Sequence, residues 1–241
     1  MVRGDDACVI RMRDVKFTWP GQHMPCVDVR ELDVLRGERI FIHGPSGSGK
    51  STLLGLLGGV HVPQSGSISV LGNDLTRMGP SARDRFRADH IGFLFQLFNL
   101  VPYLSVIENV LLPCRFSSRR RSQALAGGRT LRDVAQALLG HLDIEPALLG
   151  RGVTELSVGQ QQRIAAARAL LGRPEILIAD EPTSALDADR QSAFLQLLLR
   201  ECGDAGATVL FVSHDQRLAP AFTRQIALPD LGGGRQAEAG R

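Results

Sequence analysis

Lysine is almost missing from this chain. Of its 28 cationic residues only Lys16 and Lys50 are lysines; the rest are arginines. A lysine inside a glycine loop, where Lys50 stands, is therefore worth notice. Cysteine is sparse as well. Cys8, Cys26, Cys114 and Cys202 are scattered and form no C-x-x-C pair, which excludes a disulfide framework and a zinc site of the usual spacing. They read as reduced thiols of a cytoplasmic protein. No stretch approaches the roughly 18 apolar residues that a membrane-spanning helix needs. The opening MVRGDDACVIRMRD is charged and carries no apolar signal segment. A net charge of only +3 forces neither a nucleic acid nor a membrane surface as partner, and no internal repeat is visible. What is present is 241 residues, 44% of them hydrophobic, which suffices for the core of one or two compact domains.

Along the chain, CVIRMRDVKF and VDVRELDV alternate apolar and polar residues as antiparallel strands do, and ERIFIH is a compact apolar run. The apolar helix KSTLLGLLGGV and the strand SGSISVLG follow. From about Arg83 to Glu155 the pattern turns helical and less regular. Within it SSRRRSQALAGGR is polar and basic, and is read as an exposed loop because charge runs are usually solvated. A helix over 160–171, the strand EILIAD, a helix over 188–202, the strand ATVLFVSHD and a short strand near QIALPD complete the order. Strands alternating with helices predict an α/β fold with a mainly parallel sheet covered on both faces. The helical stretch would be an insertion, and the tail 232–241 is expected to be disordered.

Gly44, Pro45, Ser46, Gly47, Ser48, Gly49, Lys50 and Ser51 fit G-x-x-x-x-G-K-[ST] between a strand and a helix. Glycines let the backbone curl so that successive N–H groups face phosphate oxygens. Lys50 can reach the β- and γ-phosphates, the Ser51 hydroxyl can ligate Mg²⁺, and Thr52 can contact a phosphate from the first helical turn. The apolar strand ILIA ends in Asp180 and Glu181. In a parallel sheet that end lies on the ligand edge, where Asp180 can hold Mg²⁺ through water and Glu181 can orient or deprotonate the attacking water. His214, after the strand TVLFV, falls at the same expected edge and is read as a γ-phosphate contact. Ser213, His214 and Asp215 do not make a hydrolase triad, because neighbours on an extended chain point apart.

A second anion site is the puzzle. LSVGQQQRIAAARAL opens a long helix on a Ser-x-Gly turn, and such a helix start offers free N–H groups to an anion. Its order and spacing with the other motifs resolve the matter. Gly44–Ser51, Leu156-Ser157-Val158-Gly159-Gln160, Ile176–Glu181, Ser184-Ala185-Leu186-Asp187 and His214 resemble the ATP-binding subunit of ABC transporters over essentially all of residues 8–230. In that family the signature turn of one subunit caps the γ-phosphate held by the phosphate loop of a second. The resemblance thus implies a head-to-tail homodimer around two ATP molecules, with Ser157, Gly159 and Gln160 acting in trans. The signature usually reads LSGGQ, and Val158 departs from it. Gln96 in IGFLFQ matches the glutamine that ligates Mg²⁺ or water and senses the γ-phosphate. Trp19 matches an aromatic that stacks on adenine, and Asp187 matches the aspartate that communicates between the two sites.

The resemblance also implies the architecture and partners. The fold would be a P-loop NTPase core with a mainly parallel sheet, an N-terminal antiparallel β subdomain and an α-helical subdomain inserted over approximately 97–160, all in one domain, 1–231. GPSGSGKSTLL, LFNLVPYLSVIENVLLP and IADEPTSALD look like the branch of lipoprotein-release, macrolide-export and cell-division ATPases. Those partner an integral-membrane permease (FtsX/MacB-like), with a periplasmic accessory protein as an optional further partner, and sit on the inner face of the cytoplasmic membrane. Phe98, Leu100, Val101, Pro102 and Tyr103 are the candidate docking residues. A signalling ATPase of the cell-division type that transports nothing is the alternative. A DNA-repair or ribosomal ATPase would carry coiled-coil arms or paired cassettes, and a nucleotide kinase would have no use for LSVGQ.

Overall fold

Alternation of inward and outward residues sets the first strands. In the computed structural model, which describes residues 7–232, β1 (Cys8–Phe17) turns Ile10, Met12 and Val15 inward, and β2 (Val27–Leu35) turns in Val29, Leu32 and Val34. The two pair antiparallel, with Met12 opposite Leu32 and Val15 opposite Val29. Next come β3 (Arg39–His43), the helix α1 (Lys50–Leu57), β4 (Ser65–Val70) and the short β5 (Asn73–Asp74). Helix α2 (Pro80–His90) carries the chain into β6 (Ile91–Leu94), followed by α3 (Val106–Phe116), α4 (Ser118–Leu125), α5 (Leu131–His141), α6 (Val158–Leu170), β7 (Ile176–Asp180), α7 (Ala188–Ala205), β8 (Thr208–Val212) and β9 (Arg224–Ala227).

The chain divides into two units. The first, residues 1–84 and 214–241, holds the antiparallel sheet in the order β2-β1-β4-β5 and the parallel pair β3 and β9. The second, 85–213, holds parallel β6, β7 and β8 side by side and the helices α3 to α7. The expected fold class, a parallel sheet with an antiparallel β part and added helices, is what these elements form. The tail expected to be disordered lies, from residue 233, outside the described residues. No described helix is long and apolar enough to cross a membrane.

One expectation is corrected. SSRRRSQALAGGR is not a solvated loop: Ser117 caps α4 by accepting the Arg120 N–H at 2.9 Å, and Ala124 is buried. Arg120 is 3% exposed. Its Nε donates to the Leu171 carbonyl at 2.8 Å and its Nη2 to the Ala169 carbonyl at 2.5 Å, so the guanidinium satisfies the C-terminal carbonyls of α6. Such carbonyls have no partner within their own helix. Burial pushes the Arg120 pKa down to about 10, still well above neutrality. Arg119 pairs with Glu175, which also meets His90 at 3.2 Å. Counting arginines as surface charge missed that a guanidinium donates to several carbonyls at once. Arg120→Met keeps much of the volume but strands these acceptors, and should lower unfolding stability by about 2–4 kcal/mol. A urea midpoint equal to wild type would show that α4 is held by other contacts.

Candidate functional site

The phosphate loop is shaped by one close approach. Gly49 has φ +95°, and a Cβ there would lie 2.5 Å from the Cys26 carbonyl oxygen. Gly47 also takes a positive φ, +76°, which glycine alone adopts at no cost. The Cys26 thiol lies 3.5 Å from the Thr52 hydroxyl, so the end of the Trp19-bearing loop packs on the start of α1. Gly49 is the N-cap and no side chain caps α1, at the place where a helix leaves N–H groups without intrahelical partners. Lys50 is 7% exposed, and its Nζ donates to the carbonyls of Gly44 at 3.0 Å and Pro45 at 2.9 Å. Ser48 Oγ is buried with no hydrogen-bond partner. Pro45, Ser46 and Ser51 are exposed.

These observations fit a polyphosphate. The loop cannot close further because of Gly49, the uncapped helix start favours an anion, and a buried ammonium lies against the same loop. Ser51 offers a hard hydroxyl oxygen of the kind Mg²⁺ takes, as do the Asp180 carboxylate and the Gln96 amide. Among the described residues no group of three or more His, Cys, Asp or Glu side chains gathers as a metal site. Trp19 is 37% exposed and belongs to the same unit as the loop, as does the exposed His214. The Asp215 carboxylate pairs with Arg217, whose guanidinium holds it below the usual carboxylate range. That pairing is a further argument against a Ser-His-Asp triad.

The second unit gathers the remaining candidates. Leu94 of β6 pairs with Ala179 of β7, and Asp180 with Val212 of β8, so Gln96, Asp180 and Glu181 leave the sheet at one edge. Glu181 has φ +45°, an uncommon conformation for a glutamate, and its N–H donates to the Val212 carbonyl at 3.0 Å. Phe98 and Asn99, just past Gln96, are also left-handed, at +57° and +49°. Arg168 holds that turn, donating to the Phe98 carbonyl at 2.5 Å and the Asn99 carbonyl at 2.6 Å.

The second helix start is built as a reciprocal cap. Ser157 Oγ accepts the Gln160 N–H at 3.3 Å, and Gln160 Oε1 accepts the Ser157 N–H at 3.0 Å. As an acceptor in the cap, the Ser157 hydroxyl keeps its own proton to donate. Val158 is 46% exposed, and a Cβ on Gly159 would meet nothing within 4 Å. The valine that breaks the usual signature therefore fits without crowding. Asp187 caps α7 by accepting the Arg190 N–H at 2.9 Å.

Two buried glutamines that the motif reading passed over hold the loop between β7 and α7. Gln162 Nε2 donates to the Pro182 carbonyl at 2.8 Å, and Gln191 Nε2 donates to the carbonyls of Thr183 and Leu186, both at 3.1 Å. Gln162 thus ties the signature helix to the residue after Glu181. Its signal was available: it sits three and four residues before the buried Ala165 and Ala166, on the inner face of α6.

Comparison with known proteins gives the same answer. The family model described as "ABC transporter" matches residues 27–184. The chain is 42% identical over 199 residues to the uncharacterized ABC transporter ATP-binding protein YbbA of Escherichia coli (strain K12), covering 82% of this chain and 83% of that one. It is 39% identical over 233 residues to the macrolide export ATP-binding/permease protein MacB of Nitrosomonas europaea, covering 95% of this chain and 34% of that one. Among solved structures, the dimeric post-hydrolysis state of the ATP-binding cassette MJ0796 bound to ADP and Pi superposes with a TM-score of 0.80 at 33% identity, covering 95% of this chain and 97% of that one. Lys50→Ala removes a charged donor from the loop and should weaken ATP binding by about ten- to a hundredfold, with little change in the melting temperature. Calorimetric titration checks this, and unchanged affinity would remove Lys50 from the site.

Proposed function

This chain belongs to the ABC transporter family as an ATP-hydrolysing, ATP-binding subunit, and from that premise we propose that it energises an FtsX/MacB-type integral-membrane permease through ATP-driven closure of two copies. The observation that carries the reading is the pairing of a phosphate loop with a second, exposed helix start whose Ser157 keeps a proton to donate. In this reading the second start serves the γ-phosphate held by a partner copy. The similar MJ0796 cassette is itself dimeric, and the MacB relative combines ATP-binding and permease in its name.

Each residue has a role in this reading. The N–H groups of Gly44 and of Ser46 to Thr52, with Pro45 shaping the turn between them, and the Lys50 ammonium bind the phosphates, while Trp19 stacks on the adenine. Ser51, Gln96 and, through water, Asp180 would hold Mg²⁺, which when bound neutralises charge on the β- and γ-phosphates. Glu181 takes a proton from the attacking water as it adds to the γ-phosphorus, and ADP leaves with the bridging oxygen. His214 contacts the γ-phosphate. Asp187, capping α7 beside the loop that Gln162 and Gln191 hold, is placed to report on the neighbouring copy. The chain would lie on the cytoplasmic face of the membrane, held there by its permease.

Docking falls to the turn after Gln96. Tyr103 is 86% and Leu97 83% exposed, whereas Phe98 is 7% exposed and belongs to the core rather than to a docking groove. Asn109, fully buried, fixes the backbone beneath Tyr103: its Oδ1 accepts the Val101 N–H at 2.8 Å, and its Nδ2 donates to the carbonyls of Val101, Leu104 and Ser105. Exposed apolar side chains on backbone held in this way suit a short helix of a partner.

Two measurements test the reading. Glu181→Gln should bind ATP and lose roughly 10²-fold or more in turnover, with a dimer accumulating in Mg-ATP on size exclusion; wild-type turnover would count against Glu181 as the base. Tyr103→Asp should leave the melt and the ATPase of the free subunit intact while abolishing co-purification with the permease. Normal co-purification would move the docking surface elsewhere.

A further inference from the structure

Trp19 is the chain's only tryptophan, and its strand does not hold it alone. The His61 imidazole meets the indole edge-on, with centroids 4.9 Å apart and planes at 76°, and Phe17 meets it at 5.1 Å and 89°. His61 also tilts over Phe17 at 5.5 Å. It arrives there because the chain folds back after α1, where the N–H groups of Val60 and His61 both donate to the Gly55 carbonyl, at 2.8 and 3.2 Å. Glycine leaves room for the ring at that fold: a Cβ on residue 55 would lie 2.6 Å from His61 Cδ2 and displace it.

Three residues later a second side chain grips the backbone next to the indole. The Thr18 N–H donates to Gln64 Oε1 at 2.8 Å, and Gln64 Nε2 donates to the Thr18 carbonyl at 2.8 Å. The Gln64 N–H donates to the Lys16 carbonyl at 3.0 Å. One amide thus satisfies both groups of the residue preceding Trp19. Downstream, Cys26 returns to Phe17 through an N–H to carbonyl bond of 2.8 Å and packs on Gly49. The loop 18–26 is therefore pinned at both ends while its tip, with His23 and Met24, stays exposed.

We infer that His61 and Gln64 are positioning residues for the nucleotide base: they fix the Trp19 ring and its backbone before ATP arrives, from the segment that leaves the phosphate-loop helix. Their role is to act through Trp19 and Thr18, the residues they contact, rather than on the nucleotide itself. Without them the loop and its ring would have to be ordered at the expense of binding. The inference rests on the reading of Trp19 as the base platform, and it adds what holds that platform. The segment contributes an aromatic edge and an amide at spacing i, i+3, which no phosphate-loop pattern demands.

The test reads binding by calorimetry, which works equally for the tryptophan-free variant, and uses the emission of the single tryptophan as a second reporter where it is present. ATP and inorganic tripolyphosphate are titrated against wild type, Trp19→Ala, His61→Ala, His61→Phe and Gln64→Leu. His61→Ala and Gln64→Leu should each weaken ATP binding by about two- to tenfold, the scale of one aromatic edge contact. Tripolyphosphate binding should be unchanged, which also shows that the phosphate loop remains folded. His61→Phe keeps the edge and should restore ATP affinity. Burial alone lowers the His61 pKa, with no charged neighbour contributing, since Phe17, Trp19 and Gly55 pack the ring. Acid should therefore quench the emission with a midpoint below the ordinary histidine range, and His61→Phe should abolish that quenching while keeping affinity. If Trp19→Ala binds ATP normally, the platform reading itself fails. If Trp19→Ala weakens ATP while His61→Ala and Gln64→Leu do not, or if they weaken tripolyphosphate equally, the positioning role is overturned and the platform stands.

Discussion

The approach of Gly49 to the Cys26 carbonyl is the constraint on which the first unit depends. A phosphate loop has to present N–H groups inward, and the backbone does so only by curling through left-handed residues at 47 and 49. At Gly49 there is no space for even a methyl group. The same contact sets the end of the loop that bears Trp19. In the proposed reading, phosphate recognition and base recognition thus share one backbone contact.

The second unit solves a different problem. Its functional residues lie on turns, and turns carry polar backbone groups that need partners. Side chains supply them, the buried Gln162 and Gln191 for the loop after Glu181, the buried Asn109 for the turn before α3, the part-exposed Arg168 for the turn after Gln96, and the buried Arg120 for the end of α6. Each donor reaches main-chain oxygen, so loop shape is fixed irrespective of the side chains the loops carry. That separates rigidity from chemistry. Positions such as Tyr103, Leu97 and Val158 are left exposed on backbone that is already held.

Much of this was legible beforehand, for reasons that differ by element. β1 and β2 alternate in stretches, with a shift of phase in the middle of each strand, because one face is buried, and the runs ending at His43 and Asp180 are apolar because parallel strands are covered on both sides. The phosphate loop and signature could be read because glycine and serine are demanded by local backbone geometry. What escaped was any role set by tertiary partners. Arg120 looked like one more surface charge in a basic run. Gln162 looked like one of three equivalent glutamines, and His61 and Gln64 lay between motifs. Phe98 looked like its neighbour Tyr103, although one is core and the other solvent-facing. Burial of a polar side chain depends on what the rest of the chain brings to it, and spacing alone does not carry that information.

The left-handed backbone at Glu181 sets robustness against turnover. Non-glycine residues in this region carry a cost of about 1–2 kcal/mol, which glycine would return and asparagine would reduce. Either replacement would relax the turn and discard the carboxylate. With Glu181 as the proposed base, laboratory selection for heat tolerance alone would thus be drawn toward replacing the residue that this reading makes indispensable to hydrolysis. Such a lineage would yield sturdier proteins that still take up nucleotide and no longer consume it.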